Sequence, residues 1–208
     1  MSKTNKNFAN RRREIAAIAE QLFLEKGYEN TNITDILEAT GLSKGGFYHY
    51  FGTKEEIILE CIQNIAEELS TIAEKILGEQ QLDAIDKCLT FMKIRDDRLQ
   101  DKQEIVGIMW MVSKHDLYQS KMIELLIEAF AKPYAQLIEQ GNREGLFAAE
   151  CPLETATLIM RLIITSALKG PNNNSDKEKN EEKALNHLII RTLGITQLDR
   201  VRQGGLHV

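Results

Sequence analysis

The residues whose types and spacing could do chemistry lie between positions 32 and 54, NITDILEATGLSKGGFYHYFGTK. Ser43 is a good helix N-cap, and the helix it would open carries Lys44, Gly45, Gly46, Tyr48 and His49. Phe47, Tyr50 and Phe51 stand at i, i+3 and i+4 and form one face that can pack inward. Lys44, Gly45, Tyr48 and His49 fall on another face by the same arithmetic. That second face suits a polyanion with readable edges. A lysine neutralises a phosphate or reaches a guanine edge. Tyrosine and histidine hydrogen-bond phosphates while their rings lie along a groove. Gly45 and Gly46 carry no side chain, so the backbone there can come close to a duplex. Each glycine costs a helix about 1 kcal/mol relative to alanine, and a loose first helical turn without contacts is the competing explanation.

This face needs elements to hold it. Ile15, Ala19, Leu22 and Phe23 recur at helical spacing and predict a first helix, with Gly27 in the C-cap place. A short second helix follows Asn32, whose spacing to Asp35 is that of a capping box; Ile33, Ile36 and Leu37 supply its buried side. Thr40-Gly41-Leu42-Ser43 then makes a turn of helix-turn-helix size. Thr53 to Glu56 matches a capping box and opens a long helix to about Leu77. Further helical patterns follow: Leu82 to Leu99, an almost wholly apolar Ile105 to Val112, Leu117 to Gln140 with Pro133 inside it, and Leu153 to Leu168. Residues 144–152 read as a connector and 170–180 as a solvated loop, before a last helix from Glu181 to Leu193. The expected fold is therefore all-α: a three-helix helix-turn-helix head over residues 1–54, a larger helical body over 55–195, and a flexible tail over 196–208.

Composition sets bounds. The chain has 208 residues, 43% of them hydrophobic and only 6% aromatic, with three prolines. No apolar run approaches the roughly 20 residues of a membrane span, and residues 1–10 lack the apolar stretch of a signal peptide, so a cytoplasmic protein with no membrane partner is expected. Cys61, Cys88 and Cys151 are scattered and form no CxxC pattern, which argues against a disulfide framework, a metal site or a cofactor. His49, His115, His187 and His207 have no evident nucleophile beside them, and no phosphate loop or nucleophile elbow occurs, so no enzyme is expected. The net charge of −5 hides an asymmetry. Residues 1–54 hold eight Lys and Arg against six Asp and Glu, a net of +2, and Arg11, Arg12 and Arg13 stand near the expected start of the first helix. A basic head on an acidic body is compatible with DNA.

The stretch from Arg12 to Ile57 resembles the head of the tetracycline-repressor (TetR) family. The resemblance rests on Ala19 to Phe23, Lys26-Gly27-Tyr28, Asp35-Ile36, Ala39 to Ser43, Phe47 to Phe51, and Lys54-Glu55. It implies that the third helix enters the major groove with Lys44, Gly45, Tyr48 and His49 facing the bases, and that Thr34, Ser43 and Lys54 contact phosphates. Asn32, Leu37 and Gly46 depart from the family's usual threonine, alanine and polar residue, which bears on base preference. The resemblance further implies a homodimer formed through the last two helices, for which Leu158, Ile159, Leu162, Ile163, Leu185, Leu188 and Ile189 are candidates. It also implies a ligand site among the middle helices. Phe91, Met92, Met109, Trp110, His115, Tyr118, Met122 and Tyr134 are candidates to line it, though such a stripe can equally be core. Arg161 is a candidate for a cross-subunit ion pair or an acidic ligand. The function expected is a repressor released from a near-palindromic operator on double-stranded DNA by a small, largely apolar inducer. The alternative is an architectural DNA-binding protein that needs no ligand and recruits another protein.

Overall fold

The structure is a computed structural model; it describes residues 3–100, 107, 116–167 and 175–197. Among the described residues the elements are α1 (Lys3–Lys26), α2 (Ile33–Thr40), α3 (Lys44–Tyr48), α4 (Lys54–Gly78), α5 (Ala84–Gln100), α6 (Asp116–Arg143), α7 (Pro152–Ala167) and α8 (Ser175–Leu193), with no strand. None of these helices is long and apolar enough to cross a membrane. The described residues divide into two compact units: one holds residues up to 65 with 107 and 116–122, the other 66–100 with 123–197.

In the first unit the inward stripe of α1 (Ile15, Ala16, Ala19 and Phe23) meets Ile36 of α2, Phe47 and Phe51 around α3, and Ile57, Ile58 and Cys61 of α4; all are buried. Each loop closes on a specific cap. At the end of α1, Gly27 adopts φ +83 and its N–H returns to the Phe23 carbonyl at 2.9 Å. The N–H of Asn32 donates to Asp35 Oδ2 at 2.7 Å, the capping box read from their spacing. Gly41 takes φ +67, which turns the chain out of α2, and the Leu42 N–H reaches back to the Leu37 carbonyl. Thr53 Oγ1 accepts from the Glu56 N–H at 3.3 Å, while the Glu56 carboxylate accepts from Gly52 N–H at 2.8 Å.

The first helix starts earlier than the apolar pattern predicts. It runs from Lys3, so Arg11, Arg12 and Arg13 sit in mid-helix rather than at its N-terminus. Their cationic charge therefore does not oppose the helix dipole, which acts within the first turn.

In the second unit, α5, α6, α7 and α8 and the second half of α4 bury Leu69, Ile85, Leu137, Ile138, Ile159, Ile164, Ile190 and Leu193. A polar network ties three chain segments together. Lys87, 4% exposed, donates to the Leu77 carbonyl at 2.7 Å and to Gln140 Oε1 at 2.9 Å. Gln140 Nε2 donates to Glu144 Oε1 at 2.6 Å, and Glu144 Oε2 accepts from Ala84 N–H at 2.8 Å. The ammonium thus sits at the C-terminal end of α4 and the carboxylate at the N-terminal end of α5, each matched to the local helix dipole. At residues 144–151 the expected connector is present, clasped by Asn142, whose side chain bonds both the N–H and the carbonyl of Ala149.

The last helix is longer than expected. Residues 175–180, read as loop from their polarity, are the first turns of α8. Asp176 near its start suits the N-terminal dipole, and Lys177 and Glu181 stand four apart on one face. The expected helix over 105–112 lies outside the described residues except for Gly107, which is helical. Residues 198–208 of the expected tail also lie outside them.

Candidate nucleic-acid interface

Helix α3 presents two different faces because of how it is held. Phe47 and Phe51 are fully buried in the head core, whereas Lys44, Gly45, Tyr48 and His49 are exposed, Tyr48 at 47%. Ser43 is the N-cap, its Oγ accepting from the Gly46 N–H at 3.1 Å. That bond uses one lone pair and leaves the hydroxyl hydrogen to donate outward. Thr34 is exposed in the first turn of α2. The structure therefore gathers Thr34, Ser43, Lys44, Gly45, Tyr48 and His49 as solvent-facing groups on two adjoining short helices.

The two glycines differ. A Cβ at Gly46 would stand 3.3 Å from Ser43 Oγ and 3.7 Å from Leu42, so the cap itself favours a small residue there. A Cβ at Gly45 would meet nothing within 4 Å. Nothing inside the described chain requires glycine at position 45, and the open side of that position faces outward.

Three basic residues are committed elsewhere. Lys54 Nζ donates to the carbonyls of Tyr28 at 2.7 Å and Thr31 at 3.2 Å, and lies 4.1 Å from the centroid of the Tyr28 ring. The resemblance implies a phosphate contact for Lys54; within the protein its ammonium ties α4 to the loop after α1, which also accounts for a cation in the first turn of a helix. Burial, with the Glu55 carboxylate second, pushes the Tyr28 phenol up, so this ring stays neutral beneath the ammonium. Arg11 donates to the Thr40 carbonyl at 3.3 Å and pairs with Glu14. Arg12 donates to Glu60 at 2.9 Å and to the Tyr50 carbonyl, with its guanidinium over the Phe51 ring. Arg11 and Arg12 thus hold the C-terminal ends of α2 and α3 against α1. Apart from Glu14, their partners lie 29 to 48 residues away in sequence, beyond the reach of local spacing.

The second unit contains a small cavity of about 30 Å³. Its walls are Ala73, Ile76 and Leu77 of α4, Lys87 and Phe91 of α5, Phe130, Pro133, Tyr134 and Leu137 of α6, and Met160 of α7. Of the sequence candidates for a ligand site, Phe91 and Tyr134 are brought together here, and Met92 is half-buried on α5 outside the lining. Tyr118 and Met122 belong to the other unit: the Tyr118 hydroxyl meets Thr53 Oγ1 at 3.2 Å, and Met122 is fully buried. These two serve the head's packing rather than this cavity. Met109, Trp110 and His115 lie outside the described residues. Sequence patterns missed Phe130, Pro133 and Met160; Pro133 reads as a bend, and here its ring forms wall.

On α7 the inward stripe is Ala156, Ile159, Met160 and Ile164. Ile159, a candidate dimer residue, is 1% exposed and packs into its own protomer. It lies three residues after Ala156 and five before Ile164, on the inward side. Leu158 at 62%, Leu162 at 43% and, on α8, Leu188 at 48% stay exposed, and Ile163, Leu185 and Ile189 are half-buried. Leu153, at 51%, is an exposed leucine that the sequence reading did not single out. Arg161 is exposed between Leu158 and Leu162, away from the cavity lining.

Comparison with known proteins gives these features a context. Residues 15–61 match the family profile described as bacterial regulatory proteins, tetR family, and residues 103–169 match a tetracyclin repressor-like C-terminal domain. An uncharacterized HTH-type transcriptional regulator of Bacillus subtilis, YfiR, is 28% identical over 70% of this chain and 72% of its own. The HTH-type transcriptional repressor KstR2 of Rhodococcus jostii is 26% identical over 73% and 74%. Among solved structures, a TetR-family regulator from Syntrophomonas wolfei superposes with a TM-score of 0.61 at 24% identity, covering 91% of this chain and 98% of that one. Thermus thermophilus FadR, solved with lauroyl-CoA, gives 0.69 at 17% identity, covering 88% and 94%. With two profiles of one family matched in order along the chain, a helix-turn-helix held by Arg11 and Arg12, and an all-α fold shared with these structures, the chain belongs to the TetR family of bacterial transcriptional regulators.

Proposed function

We propose that this regulator is a homodimeric repressor that holds a near-palindromic operator through α3 and is released by a small, largely apolar ligand. The observation that carries the DNA part is the outer face of α3: Lys44, Gly45, Tyr48 and His49 are exposed while Phe47 and Phe51 opposite are buried and Tyr50 is half-buried. Lys44 supplies charge and a donor for a phosphate or guanine. Tyr48 and His49 supply polar tips on flat rings. Gly45 lets the helix backbone approach, and Thr34 and Ser43 are placed to donate to flanking phosphates.

The exposed leucines of α7 and α8 support a second copy of the chain as partner. Leu158, Leu162 and Leu188 project apolar surface that one protomer leaves in water. A two-fold axis there would set two α3 helices to read half-sites about 34 Å apart.

The cavity supports the ligand part. It has room for about one or two waters, far below the several hundred Å³ of a typical small-molecule site. A ligand must therefore widen it, and the energy of ligand binding goes to a body conformation different from the present one. Helix α4 carries Lys54 in the head and Ala73, Ile76 and Leu77 in the cavity wall, so displacement of its second half acts on the element that leads from the head. Two related folds were solved with organic ligands, lauroyl-CoA in FadR and resorcinol in RolR.

The test is recovery and sequencing of DNA fragments bound by the purified protein from its source genome. One shared near-palindromic site, lost with Lys44→Ala, is the expected result. Binding without a shared site would overturn sequence-specific repression and favour an architectural role.

A further inference from the structure

Phe8 lies in the polar N-terminal segment, yet its ring does not stand alone. It stacks on Tyr50 with centroids 5.0 Å apart and planes at 28°, and meets the His49 imidazole edge-on at 5.4 Å and 87°. His49 and Tyr50 themselves meet at 5.1 Å. Four residues on, one helical turn away on the same face of α1, Arg12 donates to the Tyr50 carbonyl and covers Phe51. Two successive turns of α1 therefore clamp the C-terminal end of α3.

That end needs holding. Helix α3 has five residues, too short to be stable without tertiary packing, and His49 follows its last residue as the C-cap. An exposed imidazole there would sample several rotamers and lose entropy on contacting DNA. The edge-on ring of Phe8 restricts it before any contact is made. Phe8 remains 36% exposed, the geometry of a side chain with one face on a neighbour and one in water.

We propose that Phe8 is a positioning residue for DNA reading: it acts through His49, fixing the imidazole in the orientation presented to the duplex. This rests on the reading of α3 as the DNA-contacting helix. Aromatic contacts of this kind, once removed, should cost operator affinity about fivefold.

The experiment takes the duplex that the full-length wild type enriches from a library with a randomised core, and measures its affinity for F8L, F8Y, H49A and F8L/H49A. F8L is expected to weaken binding with unchanged thermal melting, F8Y to restore it, and F8L to add no loss in the H49A background. An equal F8L loss with and without His49 would overturn the coupling, as would wild-type affinity in F8L. Failure of the wild type to enrich any duplex would instead overturn the reading of α3. Independently of DNA, a nuclear Overhauser contact between the Phe8 and His49 rings is expected in the free wild type, and its absence overturns the proposal even if F8L does not fold.

Discussion

The guanidinium carbon of Arg12 lies 4.2 Å from the centroid of the Phe51 ring while its Nε donates to Glu60 at 2.9 Å, so one α1 side chain joins the end of α3 to α4. Arg12→Ala strands a carboxylate that is only 9% exposed and is expected to cost the head about 2 kcal/mol. Arg12→Lys should recover little of this, because an ammonium cannot make the same forked contacts. Chemical denaturation followed by head-specific probes checks both, and wild-type stability in Arg12→Ala would remove the guanidinium from its structural role.

The contrast between two glycines gives a sharper test of the interface. A Cβ at Gly45 meets nothing, whereas at Gly141 it would lie 2.1 Å from Phe147 Cδ2. Gly45→Ala should therefore leave thermal stability equal or raise it by up to about 1 kcal/mol, yet reduce DNA affinity. Gly141→Ala should lower the melting temperature, because the Phe147 ring must be displaced. Full DNA binding by Gly45→Ala would show that close backbone approach is not used there.

Acid should loosen α2 in a way that one residue controls. The hydrogen bond from Lys26, followed by that from the Asn32 N–H, holds the Asp35 carboxyl below the usual carboxylate value. A folded-state value that is depressed means a contribution present above the unfolded value and lost as pH falls through the folded one. The Lys26 ammonium is raised by the same bond, so its contribution is present below the ordinary lysine value and fades only as pH rises beyond it. The pair is thus complete across neutral pH and fails first on the acid side. Titration of the Asp35 carboxyl by NMR should show the lowered midpoint, and Lys26→Met should return it towards normal; an unchanged midpoint would remove Lys26 as the main cause.

The leucine face can be tested by charge. Leu158→Glu with Leu162→Glu is expected to leave the protomer folded, since both side chains are exposed, and to yield a monomer in analytical ultracentrifugation. Ile159→Glu should instead unfold the second unit, because that side chain is buried within its own protomer. A dimer that survives the paired leucine substitutions would place the subunit contact elsewhere.

These contrasts also show where sequence patterns run out. The outer face of α3 was legible because a short helix with an aromatic inner face leaves only one side for Lys44, Tyr48 and His49. On α7 the polar Glu154, Thr157, Arg161 and Thr165 mark one face at helical spacing, with Leu158 and Leu162 flanking it and Ile159 on the inward side, so the contrast between Leu158 and Ile159 was legible in the sequence. The cavity draws on four helices, and no local spacing links Phe130 with Met160. Phe8 did leave a trace, standing seven residues before Ile15 in the phase of the α1 stripe, but the polar residues around it obscure the pattern. The partners of Lys54 and Arg11 include backbone carbonyls, which every residue carries and no sequence pattern marks.

Arg11, Arg12, Lys26 and Lys54 are four of the eight basic residues between positions 1 and 54, and each already has a partner within the protein. A cation paired with a carboxylate, as Arg11, Arg12 and Lys26 are, neutralises less phosphate charge on the duplex. Counterion release contributes about 0.9 to the slope of log K against log salt for each phosphate neutralised on B-DNA. The slope for each head should therefore fall short of what eight positive charges would give, and Lys44→Ala should lower it more than Lys26→Ala, whose charge Asp35 already balances. The head is basic by composition, but several of its basic side chains serve to hold it together, and its salt response will be smaller than its formal charge.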